Sequence, residues 1–422
     1  MAQSIDGLVL GDLSTPERTS HELWRLRLIL GWIVLFGALV GLFALSWDIQ
    51  WHTAIGRDRT LTAPHLFILG SIAVMGLAAL LAVLIETFWT RREPAPTQGS
   101  IPFAGLFRSS LGTYLVGYGA LASAIAFPID QYWHTLYGVD VSIWAPFHIM
   151  ALTGLCIDCL GVAYMLAEGA HQAALHGAKR MAFAAYVGVL IALATLMGVF
   201  SYLLQPSLNI GYISRGGFTF TVYPLMLGVF GILVLSAAMR AVPWRMAATL
   251  VAVTYLFFGL VNYLIIPPLM NFLLGVEQQH YLPDAPTVSV VAIEWQYGLI
   301  VAAVLLDGVA WIARRRGWSL RRANKALVGA ALIGMILAAF CFPPFLSTAT
   351  RRHNVHLVPN SGIPAVAVAK SSGQVPTIAS PPSPNVGAVV MIIALSLLPG
   401  LPGAYVGNWL GTGIGEAMRR EE

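Results

Sequence analysis

Residues 26–58 read LRLILGWIVLFGALVGLFALSWDIQWHTAIGRD, an apolar run that closes on Asp48, Trp51 and His52. A helix of about 20 apolar residues crosses the roughly 30 Å of hydrocarbon in a bilayer, and the part from 26 to 47 is long enough to do so. Nine further stretches follow, at 65–89, 107–129, 148–168, 181–204, 219–239, 246–268, 290–313, 325–346 and 388–412. The chain of 422 residues is 57% hydrophobic and only 10% charged, whereas about 25% of a soluble domain is charged. The fold class expected is therefore all-α: a polytopic membrane helical bundle of about ten transmembrane helices in five hairpins.

Residues 1–24 lack a basic n-region and a cleavage site, so the first span is expected to act as an uncleaved anchor behind a cytoplasmic segment. With both termini cytoplasmic, only Arg57, Arg59, Arg215, Arg351, Arg352 and Lys370 of the 24 Lys and Arg fall outside. RRRGWSLRR at 314–322 is the strongest inside signal. The net charge of +5 thus reports topology in an inner, multi-pass membrane protein. No nucleic-acid partner is expected, because the basic residues form no continuous stripe. Cys156, Cys159 and Cys341 all fall within predicted spans, which argues against a disulfide framework.

The first two hairpins look like copies. Residues 48–58 read DIQWHTAIGRD and residues 130–140 read DQYWHTLYGVD, with Asp, Trp, His, Thr, Gly and Asp shared. Each copy then reaches Ala-Pro and a second histidine: Ala63, Pro64 and His65, then Ala145, Pro146 and His148. An internal duplication is the simplest account. Residues 25–175 are read as a duplicated, metal-binding two-hairpin unit, and 176–422 as a six-helix membrane region. The latter includes a long outer loop at about 347–387, and its third hairpin has Tyr223 and Pro224 but no histidine at the corresponding place.

Asp48 and His52, four residues apart, share one face of a helix. Pro64 suits the first turn of the next helix, which folds His65 back towards them. Asp130, His134 and His148 repeat the arrangement. Two imidazoles and a carboxylate suit copper(II), zinc or iron(II) and leave positions open, so spacing does not choose the metal. Asp58 and Asp140 stand where they orient a ligand histidine or extend the ligand set. The bland reading makes the histidines interfacial polar groups, with Trp51 and Trp133 in an aromatic belt. Duplication of the entire pattern favours the metal.

DIQWHTAIGRDRTLTAPH at 48–65 resembles the C-subunit signature of copper membrane monooxygenases, the particulate methane and ammonia monooxygenases. That signature carries Asp-x3-His, Arg-Asp-Thr-x-Phe-Thr and a later His. Trp51, His52, Arg57, Asp58, Thr62 and His65 match in register, with Arg59 in place of Thr and Leu61 in place of Phe. DQYWHTLYGVDVSIWAPFH is similar to the second metal motif through His134, Thr135, Ala145, Pro146 and His148, with Asp140 at the acidic position. Asp130 stands where the family has Asn, which makes the two sites chemically alike. The resemblance covers about residues 24–170. It implies copper, other monooxygenase subunits or a homo-oligomer as partners, and oxygen-dependent hydroxylation of a small apolar substrate or ammonia. The alternative is a non-enzymatic membrane protein that acquires or transfers copper. By topology both sites lie towards the outer face.

Other polar groups read more simply. Cys156 and Cys159 are a soft pair able to hold copper(I), but intramembrane cysteines more often pack as small apolar residues. His280, Asp284 and Glu294, and separately His353 and His356, read as loop polarity. His171 and His176 lie on the opposite face from the predicted sites. Asp307 is expected to pair with a neighbouring helix or line a polar path, and Glu86 to reach the interface. No phosphate-binding loop or nucleophile–base pattern appears.

Overall fold

The computed structural model describes residues 23–55, 61–92, 99–137, 145–204, 213–215, 218–220, 223–283, 298–341 and 400–420. Their helices are α1 (Leu23–Ile55), α2 (Ala63–Arg92), α3 (Leu111–Tyr137), α4 (Pro146–Leu175), α5 (Lys179–Leu204), α6 (Tyr223–Ala241), α7 (Ala247–Glu277), α8 (Leu299–Arg315), α9 (Leu320–Cys341) and α10 (Gly400–Arg420). The chain is an all-α, multi-pass membrane bundle. Among the described residues six helices, α1 to α5 and α7, are long and apolar enough to cross a bilayer. Helices suit that solvent because every interior backbone group is bonded within its own segment. Large apolar side chains on α2, including Leu77, Leu80, Leu81 and Phe88, stay exposed on the bundle's outside, as hydrocarbon contact requires.

Helix α1 has 33 residues and so runs about 50 Å, well beyond the hydrocarbon thickness. It packs on α2, α4 and α5, while α3 packs on α4, and α4 on α5. The α3–α4 seam is very close. A Cβ added at Gly119 would come within 2.5 Å of the Gly154 carbonyl oxygen, and one at Gly154 within 2.6 Å of the Gly119 carbonyl oxygen. Only glycine at both positions lets the two backbones meet this way. Further along, α10 lies against α6, where the Ser236 hydroxyl donates to Asn408 Oδ1 at 3.0 Å.

The third span begins later than the hydropathy run suggests. Phe107–Ser109 is a strand, paired antiparallel with Ile101–Phe103 as β1 and β2. Ala104 and Gly105 turn the hairpin with positive φ. Ser110 then accepts the Thr113 N–H at 3.3 Å, which caps the first turn of α3. A second small hairpin pairs Ile213–Arg215 with Phe218–Phe220. The expected outer loop at 347–387 lies outside the described residues.

Two acids in apolar runs acquire partners. Glu86 does not reach the interface. It is buried and receives two Arg27 hydrogen bonds of 2.8 Å across the α1–α2 contact. Arg27 also donates to Glu168 on α4 and to Ser100. The compensation is physical: a buried guanidinium needs carboxylate acceptors, and the carboxylates need its charge. Asp307 on α8 accepts the Thr249 N–H at 2.8 Å and its hydroxyl at 2.7 Å. It thereby caps the start of α7 from a neighbouring helix, where free N–H groups favour a carboxylate.

Candidate metal centre

The last turns of α1 carry Asp48 and His52, and the first turn of α2 carries Pro64 and His65. Proline loses nothing in a first turn, where its missing N–H would be an orphan. The reversal between the helices brings both imidazoles onto one oxygen. His65 Nε2 lies 3.0 Å from Asp48 Oδ1, and His52 Nε2 lies 3.6 Å from the same atom. The His52 and His65 rings sit 5.8 Å apart between centroids. One ligand atom from each residue falls within 4.8 Å of the others, a group able to hold a metal ion. Tetrahedral bonds of about 2.0–2.1 Å place ligand atoms roughly 3.4 Å apart, a value the two measured separations bracket.

Asp48 Oδ1 is buried and has no hydrogen bond of normal geometry. A carboxylate oxygen left so while two imidazole nitrogens face it fits a bound cation, which would satisfy all three lone pairs together. The side chains are not sealed: Asp48 is 14% exposed, His65 19% and His52 20%. An opening of that kind suits exchange of water, substrate or metal.

The second Asp/His motif is described in part. Asp130 at the end of α3 and His148 in the first turn of α4 approach to 3.4 Å. Pro146 again opens the helix, as Pro64 does in α2. His134 lies on α3 one turn beyond Asp130, and its side chain is outside the described residues, as are Asp58 and Asp140. Both pairs occupy the same end of the bundle. His65 lies edge-on to Phe127 of α3 at 6.4 Å, and His148 lies near Asp48.

The aromatic-belt reading fails for Trp51, which is wholly buried, and Trp47 beside it is 2% exposed. The two indoles pack with Ala54 against Ile266 and Met270 of α7. They give the cluster an apolar wall that sequence spacing did not reveal. The strand of chain after α7 returns to the same place, with the Leu282 N–H donating to the Ala54 carbonyl at 2.8 Å. A sustained hydrophobic face on α7 was the available signal, but no local pattern says which helix it meets. Trp133 is half-buried and lies edge-on to Phe147 at 5.8 Å.

The remaining candidates separate from this centre. His176 bonds the Gln172 carbonyl and stacks on Trp24 at the start of α1, the opposite end of the bundle. Cys156 and Cys159 are free and buried. Among the described residues they join no group of three metal-ligating side chains, whereas Asp48, His52 and His65 do. His280 is exposed just after α7, and Asp284, Glu294, His353 and His356 lie outside the described residues. No known protein family, curated protein or solved structure matches this chain.

Proposed function

We propose that this chain is an integral-membrane copper protein akin to the C subunit of copper membrane monooxygenases. Its sites would be Asp48/His52/His65 and Asp130/His134/His148, one per copy of a duplicated hairpin. The observation that carries the metal reading is the convergence of His52 and His65 on a single Asp48 oxygen. The choice of copper and of oxygen-dependent hydroxylation rests on the motif resemblance.

In that role Asp48 neutralises part of the metal charge, and His52 and His65 fix its direction of approach from two different helices. Copper, when bound, supplies the one-electron chemistry with oxygen that side chains lack. Trp47, Trp51, Ile266 and Met270 keep water from one side, which lowers the local dielectric and favours a small apolar substrate. The partial exposure of the three ligands equally supports the second reading, in which the centre acquires copper and hands it on without turnover.

Metal content and paramagnetic resonance on wild type, His52→Ala and His134→Ala in lipid test the two-site reading. The expected result is about two copper equivalents in wild type and a loss of about one in each variant. Unchanged metal content in both variants would refute it. Oxygen uptake coupled to product formation separates the enzyme from the metal carrier, for which release to an acceptor proceeds without turnover.

A further inference from the structure

Helix α4 leaves the metal centre at His148 and finishes at Leu175, so α5 starts at the opposite end of the bundle. That end gathers cations from three helices far apart in sequence. Arg240 stands in the last turn of α6, Arg314 in that of α8 and Arg419 in that of α10. Both Arg314 and Arg419 lie near Arg240. Close packing fixes the α6–α10 part of the meeting: a Cβ added at Gly415 would fall 2.7 Å from the Arg240 Cβ. Arg419 follows Gly415 by four residues, on the same helical face. Arg314 arrives on α8, which Asp307 ties to the start of α7.

Like charges brought together repel unless an anion sits among them. Two carboxylates of the described residues lie near the group. Glu416 Oε1 stands 3.9 Å from Arg240 Nη1, at the outer limit of an ion pair. Asp307, near Arg314, is already taken up by the Thr249 N–H and hydroxyl. A cation in a helix's last turn complements the helix dipole, and one in a loop reports topology. Neither role requires three helices to present theirs at one place, and neither satisfies the five N–H donors of each guanidinium.

The surroundings suit an amphiphile. Tyr186 of α5 lies near Arg419, and its ring meets Trp244, between α6 and α7, at 6.3 Å. Phe183 lies against the same indole at 5.1 Å and is 61% exposed, and Met246 beside it in sequence to Arg245 is 56% exposed. Arg315 covers the Trp311 ring at 4.2 Å, an aromatic–cation pair of the kind that sits at headgroup level. Guanidiniums bordering exposed apolar side chains match a phosphate that carries acyl chains, where a free inorganic anion would leave the apolar part uncovered.

We propose that Arg240, Arg314 and Arg419 bind the phosphate of an anionic phospholipid, whose acyl chains lie along Phe183 and Met246. The site stands apart from the metal centre and does not rest on the copper reading.

Native mass spectrometry of the full-length protein in detergent, titrated with dioleoylphosphatidylglycerol or dioleoylphosphatidylcholine, tests this. Wild type should hold phosphatidylglycerol at least about tenfold more tightly than phosphatidylcholine. Each basic residue near an anionic lipid contributes about fivefold, so Arg240→Gln/Arg314→Gln/Arg419→Gln, eluting as wild type, should bind it about 100-fold more weakly. Arg25→Gln/Arg91→Gln/Arg108→Gln removes equal charge from the same end and should bind as wild type does. Phenylglyoxal adds to accessible guanidiniums, needs no substitution and so decides the matter if the first triple variant fails to fold. One equivalent of phosphatidylglycerol should shield the Arg314 and Arg419 peptides from it, and phosphatidylcholine should not. Equal affinity for the two lipids, equal loss in both triple variants, or unshielded Arg314 and Arg419 would each overturn the proposal. So would displacement of the lipid by millimolar inorganic phosphate, which would make this a site for a free anion.

Discussion

Replacing His65 by alanine should remove most of the stability that a metal confers on this protein. Of the three converging side chains, Asp48 and His52 come from α1, and only His65 comes from α2. A bound ion therefore ties two helices, and its binding energy adds to the folded state. At free metal 100 times the dissociation constant, that addition is about 2.7 kcal/mol. Loss even of outer partners weakens metal sites 10- to 100-fold, so loss of a direct ligand should cost about 100-fold or more. At the same metal concentration the variant would then keep only about 0.4 kcal/mol. Unfolding in lipid nanodiscs, followed by tryptophan fluorescence with and without copper(II), reads the difference, because the indoles of Trp47 and Trp51 lie in the adjoining apolar cluster. His176→Ala, at the far end of the bundle, is the control and should respond as wild type does. An undiminished copper-induced shift in His65→Ala, or none in wild type, would refute the reasoning.

Three further outcomes are expected. Trp51→Ala, which empties a wholly buried site against α7, should lower stability by about 3 kcal/mol, seen as a lower unfolding temperature in nanodiscs without metal. Arg27→Met leaves Glu86 and Glu168 without their counter-charge and should cost about 3–5 kcal/mol, with recovery when both acids are changed to glutamine. Gly154→Val would drive its side chain into the Ser123 hydroxyl and the Gly119 carbonyl. It should part α3 from α4, read as a lost crosslink between cysteines introduced across that seam.

Much of the bundle was legible because the requirement is local: an apolar segment of sufficient length, bonded within itself, reports a membrane helix without reference to any other segment. The Asp48–His52 pair was legible for the same reason, since a spacing of four fixes a shared face. Element starts were less so. Phe107 continues an apolar run, yet it pairs with Phe103 in a hairpin, because the turn at Ala104 and Gly105 offers that residue a strand partner before Ser110 caps the helix. Glu86 could not be placed from its neighbours in sequence, since the group that decides its fate, Arg27, lies on another helix.

The sequence alone thus determined a membrane bundle and named Asp48, His52 and His65 as candidates, because periodicity and residue chemistry act over a few residues. Tertiary structure decided that His52 and His65 face one oxygen of Asp48, that His148 comes near it, and that Trp51 is wall rather than belt. It also decided that Arg27 serves two acids at the other end. Those are meetings between helices, set by which faces pack and how closely, as where Gly119 meets Gly154. No single segment contains that information.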